Sequence, residues 1–178
     1  ASTGCPALLP ACASCVCKLA ACVLQELSSG PQCETEAALL LRQICLPLLS
    51  LLPNKIPPLA SGAATCLRSL VDTPAWRGRA PHALAEELCY KAALAAATSP
   101  PTTQTTISHL LLLRSLASTN PSAVTKLAPP LIRLSIGILL PHPFSAASSA
   151  AWQLRIAAIR LLEALLVKAS DYALLSDH

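Results

Sequence analysis

The chain is short of aromatic residues, of charge and of clustered glycine. Its 178 residues include no methionine, one phenylalanine, two tyrosines and two tryptophans. A core must therefore come from Leu, Ala, Ile, Val and Cys. The five glycines stand apart at 4, 30, 62, 78 and 137, so no glycine-rich loop exists to cradle a phosphate. Neither HExxH nor GxSxG occurs, the four histidines are scattered, and Glu86-Glu87 is the one adjacent acidic pair. Successive residues on a helix point apart, so that pair builds no carboxylate dyad. These absences argue against an enzyme, a cofactor or a small-molecule substrate. Charged residues make up only 12% of the chain, about half the usual share, which is too few to coat a free-standing surface. With an Ala at position 1 and no Met, the expectation is a piece of a longer protein, or a domain with a covered apolar face.

What is present is hydrophobic and regularly punctuated. Hydrophobic residues amount to 53%, and 178 residues suit one domain. The net charge of +4 lies wholly in residues 90–178, a balance that favours protein partners with acidic segments. Nucleic acid is not an expected partner, since Lys and Arg do not cluster and aromatic interleaving is lacking. The window between Arg133 and Arg155 has no charge, but Pro141, His142, Pro143 and several serines make it unfit to span a bilayer. No signal peptide is visible, so a cytoplasmic or nuclear, reducing setting is expected.

Apolar residues recur at helical spacing between proline and Ser/Gly/Thr breaks, and strand-like alternation is absent. The pattern predicts about seven helices: Pro10–Ser28, Glu34–Leu52 with Pro47 inside it, Ile56–Val71, Ala83–Ala97, Thr105–Ser118, one opening at TNPSA and containing Pro129-Pro130, and Ala146–Leu175. DTPAWRGRAPH (72–82) reads as an exposed loop. LLLR at 39–42 recurs at 111–114, and PPL at 57–59 recurs at 129–131. With Ser50 and Ser122, and Leu67 and Leu139, residues 39–67 share nine identities with 111–139, against roughly three by chance. That offset of 72 would hold two hairpin repeats of about 36 residues.

On these features the chain resembles the HEAT/armadillo superfamily of α-solenoids. The carriers are the leucine-rich helices, IPPLASGAATCL (56–67) and LAPPLIRLSIGILL (127–140). The Asp and Arg ladder of HEAT repeats and the armadillo glycines are missing. The resemblance implies an all-α fold of antiparallel hairpins and a scaffold role, with a compact helical bundle as the alternative.

Five cysteines fall in CPALLPACASCVCKLAAC (5–22). On a helix, Cys12, Cys15, Val16, Leu19, Cys22, Val23 and Leu27 share one face, the stripe of a core-facing helix, with Cys17 off it. Zinc needs four converging ligands, usually from two knuckles, and no second CxxC follows Cys12-Cys15. A disulfide framework needs a secreted setting. The expectation is reduced thiols packed as small hydrophobes, with no metal.

The expected partner-binding residues are Trp152, Arg155, Arg160 and Arg133, joined by Lys126 in a basic stripe. Trp76 and Arg79 follow, since Trp and Arg anchor binding hot spots. LLSLL (48–52) and LEALL (162–166) match LxxLL, which raises a nuclear co-regulator as an alternative if those leucines are exposed. A carrier enclosing an apolar, lipid-like ligand is the other alternative. The leading expectation is a non-enzymatic protein-interaction scaffold within a larger assembly.

Overall fold

A computed structural model of the chain describes Cys15 and residues 31–99, 104–140 and 149–176, without side chains at 31–35, 75, 78–79 and 168–176. The expected helix Pro10–Ser28 lies outside the described residues except at Cys15, which is helical and exposed rather than core-facing. Among the described residues there is no strand, and the fold is all-α.

Among the described residues from 31 onward, eight helices follow one another: α1 Pro31–Leu51, α2 Pro57–Val71, α3 Pro74–Arg79, α4 His82–Thr98, α5 Gln104–Thr119, α6 Pro121–Thr125, α7 Ala128–Leu139 and α8 Ser149–Ser176. Prolines set many of the starts. They occupy the first turn of α2, α3, α6 and α7, where a missing N–H costs nothing because that donor has no helical acceptor. The same chemistry explains a correction. The sequence pattern runs one helix from TNPSA through Pro129-Pro130, but neither proline can donate to the preceding turn, and the chain splits into α6 and α7. A second correction concerns 72–82, expected as a loop. Thr73 caps a short helix there, its hydroxyl accepting from the Trp76 N–H at 3.2 Å while donating to the Leu70 carbonyl at 2.6 Å.

The long helices pack as three successive pairs: α1 with α2, α4 with α5, and α7 with α8. The second members form a row, α2 against α5 and α5 against α8, and α1 also meets α4. Hydrogen bonds fix the direction within the row. At one end the Thr105 hydroxyl reaches the Pro57 carbonyl at 3.4 Å, joining the starts of α5 and α2. At the other, Trp76 Nε1 donates to Asn120 Oδ1 at 2.6 Å, joining the turns that follow α2 and α5. The two helices therefore run parallel and flush. Between the first members, Lys126 Nζ meets Glu86 Oε1 at 2.8 Å, which ties the turn before α7 to the first turns of α4.

Burial repeats with the pairs. The buried residues of α2 are Ala60, Ala63, Ala64, Cys66, Leu67, Leu70 and Val71. Each has a buried counterpart 46 residues on, at Thr106, His109, Leu110, Leu112, Leu113, Leu116 and Ala117 of α5. Ala37, Leu41, Cys45, Leu48 and Leu49 of α1 correspond, 47 residues on, to buried Leu84, Leu88, Ala92, Ala95 and Ala96 of α4. In α8 the buried Leu154, Ala157, Ala158 and Leu161 stand 45 residues after His109, Leu112, Leu113 and Leu116. The 72-residue offset instead sets α1 against α5 and the head of α2 against α7, helices with different places in their pairs.

Candidate functional site

Trp76 leaves the candidate surface. It is wholly buried, and its bond to Asn120 makes it a clamp between the turns after α2 and α5. The expectation of an exposed anchor fails because Thr73 winds 74–79 into a helix that turns the indole inward. Arg79 closes α3, and its side chain lies outside those described. Lys126 does not join a stripe with the last helix. It is paired to Glu86, and that ammonium, with His82 at 3.8 Å, holds the Glu86 carboxyl below its ordinary range.

The remaining four predicted residues divide between two helices of the last pair. Arg133 is exposed on α7. On α8, Trp152 is 64% exposed, Arg155 is half-buried and Arg160 is exposed. Trp152 and Arg155 are one turn apart and share a face. Arg160 is turned from Arg155 by roughly 140° around the axis, so it looks out from another side. The structure thus brings Trp152 and Arg155 together and sets Arg160 and Arg133 apart from them.

Sequence reasoning missed the apolar company of Trp152. Ile159 and Leu166, at 45% and 60% exposure, follow it at seven-residue intervals, with half-buried Ile156 and Leu162 between them. That spacing is visible in the sequence, but so are many other leucine spacings. Only burial shows which side of α8 carries the core. Of the LxxLL matches, LLSLL lies in the interior, with Leu48 and Leu52 buried and Leu51 half-buried, so it presents no docking ridge. LEALL is divided, with Leu165 buried and Leu166 exposed.

Other chemistry is sparse among the described residues. Cys45, Cys66 and Cys89 are buried and outside any disulfide, and burial pushes the Cys45 and Cys89 thiols up to about 12, which keeps them protonated. No three His, Cys, Asp or Glu side chains converge in a way that could hold a metal. No described helix is long and apolar enough to cross a membrane. A depression of 370 Å³ lies at the helix ends, between Pro53, Lys55, Pro57, Thr98, Ser99 and Thr105, rather than within the core. His109 is fully buried in α5, and neither ring nitrogen makes a well-formed hydrogen bond. Desolvation lowers its pKa to about 4, with the Leu52 backbone pulling weakly upward.

On the last pair the described residues offer an apolar strip on α8 and dispersed basic side chains, and large apolar side chains are also exposed elsewhere, Leu39 and Leu46 on α1 and Tyr90 and Leu94 on α4 among them. No family model, curated protein or solved structure matches the chain.

Proposed function

We propose that this chain is a non-enzymatic protein-interaction module, a stretch of HEAT/armadillo-like α-solenoid that serves as a scaffold within a larger intracellular assembly. The observation that carries the reading is the recurrence of burial every 45–47 residues along helices that run parallel. HEAT and armadillo repeats have periods of about 40–47 residues. Stacking such pairs buries a continuous core and leaves long outer surfaces for partners. Three buried thiols, two of them held protonated, fit a reducing compartment such as the cytoplasm or nucleus.

The partners are proteins with acidic segments, met by Arg133 and Arg160 of the last pair. Crosslinking mass spectrometry on the intact parent protein identifies which chains lie against numbered residues here. Arg133→Glu with Arg160→Glu is then expected to weaken capture of that crosslinked partner about tenfold, with the helical circular dichroism unchanged. Capture at the wild-type level assigns recognition to another surface, and crosslinks confined to the ends of the helices remove the lateral scaffold reading.

A further inference from the structure

The two ends of the row α2, α5, α8 are unlike. Among the described side chains of α8, burial is confined to the side that meets α5 and α7, at Leu154, Ala157, Ala158, Leu161 and Leu165. Two repeats earlier, the positions of the first four are Ala63, Cys66, Leu67 and Leu70 of α2, all exposed by 3% or less. Each member of the row thus turns these positions toward its predecessor and its own paired helix. Helix α5 has α2 as predecessor and α4 as pair. Helix α2 has α1 as pair and α5 as successor, but among the described residues it packs on no predecessor. It is nevertheless as buried on that side as α5 is.

The sequence ahead of α1 supplies a predecessor. At 47 residues before the seven buried positions of α2 stand Ala13, Val16, Cys17, Leu19, Ala20, Val23 and Leu24, all apolar. The same offset relates α1 to α4. An offset of 46 would bring Ser14, Lys18 and Gln25 inward, and 45 or 48 would also bring Lys18 inward, where an unpaired charge is costly. At 47, Lys18 falls on the position of exposed Thr65, and Cys15 on that of half-buried Gly62. Cys15 is helical and exposed, as this register requires. A stripe through Cys12, Cys15 and Cys22 would bury it. Residues 25–30 then suffice for the turn into α1, which begins at Pro31.

We propose that residues 13–24 are a further member of the row, a helix seated on the Ala63, Cys66 and Leu70 side of α2 that caps this end of the core. A stack of helical pairs needs such a cap, with one apolar face turned to its neighbour and one polar face turned to water. The cap turns Val16, Cys17 and Val23 inward and sets Lys18 outward, with Cys15 and Cys22 beside it. The cysteines of this segment therefore divide by position: Cys17 is a packing atom, and Cys15 is open to reagents. The cap and the partner-binding role stand apart, since capture through Arg133 and Arg160 can succeed whether or not this end is closed in this way.

Timed alkylation of the native 178-residue chain with iodoacetamide, resolved cysteine by cysteine through peptide fragmentation, tests this without any substitution. Cys15 is expected to react nearly as fast as in the urea-unfolded chain, and Cys17 on the order of a hundredfold more slowly, in the range of buried Cys66. The seat on α2 is read from Cys66 itself. Val16→Asp, at the position equivalent to Ala63, is expected to speed alkylation of Cys66 about tenfold by opening the cap. Lys18→Glu, on the outward side, is expected to leave that rate unchanged. Equal rates at Cys15 and Cys17 in the wild type, or a faster Cys17, overturn the register. A Cys66 rate indifferent to Val16→Asp overturns the seat on α2, and so does one raised equally by Lys18→Glu.

Discussion

Helices α5 and α8 hold successive places in one row, yet they are built for different surroundings. In α5 ten of sixteen residues are buried, Thr105, Thr106, Ser108 and His109 among them. In α8 burial is confined to Leu154, Ala157, Ala158, Leu161 and Leu165 among the described side chains, a single stripe. The difference follows from neighbours: α5 touches α2, α4, α6 and α8, whereas α8 packs on α5 and α7. A helix enclosed on several sides must be apolar nearly all round, and a helix enclosed on one side must be amphipathic. The comparison teaches that position in the stack, more than helix propensity, decides what each side chain does here.

The sharpest way to break that comparison is to truncate one leucine in each of the two helices. Leu113→Ala in α5 removes a fully buried side chain from the middle of the row, and we expect a loss of about 3–5 kcal/mol in urea unfolding. Leu166→Ala in α8 removes an exposed one and should change stability by less than about 0.5 kcal/mol. Equal losses from both would mean that α8 is as enclosed as α5.

A second difference lies in titration. His109 sits in α5 without a proper hydrogen-bond partner, and its pKa falls to about 4 because burial penalises the charged ring. Unfolded, the same histidine has its ordinary value of 6.5. Above pH 6.5 both states are neutral and the group adds no pH dependence. As pH falls from 6.5 to about 4, the unfolded chain takes up the proton first and stability declines, by about 3 kcal/mol in total. His109→Leu should therefore flatten the stability profile between pH 6.5 and 4.5. Glu86, half-buried and held below its ordinary range by Lys126, keeps that pairing in the variant and so does not enter the difference between the two profiles. A profile with the same slope in the variant would assign the acid sensitivity to other groups.

Much of this contrast was written in the residues, and some was obscured by them. Helix class and most helix positions follow from apolar periodicity and proline punctuation, since α2, α4 and α5 fall within a residue or so of where the pattern puts them. The repeat was legible but was overshadowed. LRSL at 67–70 recurs at 113–116, and all four residues match at the offset of 46 that burial also shows. LLLR and PPL recur at 72 with more identities because leucine and proline are abundant, so composition outweighed architecture. Trp76 was misplaced because glycine, arginine and prolines around it read as a surface turn. What turns it inward is a threonine cap and an acceptor 44 residues away, and neither is a local signal. The apolar strip of α8 is hidden for a related reason. A stripe at seven-residue spacing is core in one helix and surface in the next, and only the packing of neighbours tells them apart.

The smallest expected effect concerns the clamp that holds α2 and α5 in parallel. Trp76 Nε1 has Asn120 as its acceptor, whereas Asn120 Oδ1 also accepts from the Thr119 hydroxyl at 3.1 Å. The two partners are therefore unequal. Asn120→Ala leaves a buried indole N–H without an acceptor and should cost about 1–3 kcal/mol. In a chain already carrying Trp76→Phe, the same change strands no donor, so Asn120→Ala should cost about 1 kcal/mol less there than in the wild type. That coupling, measured as a double-mutant cycle in urea, isolates the bond from the packing of the ring. A coupling of zero would mean that the turns after α2 and α5 are held together by apolar burial alone, and that the parallel alignment of the row does not depend on this hydrogen bond.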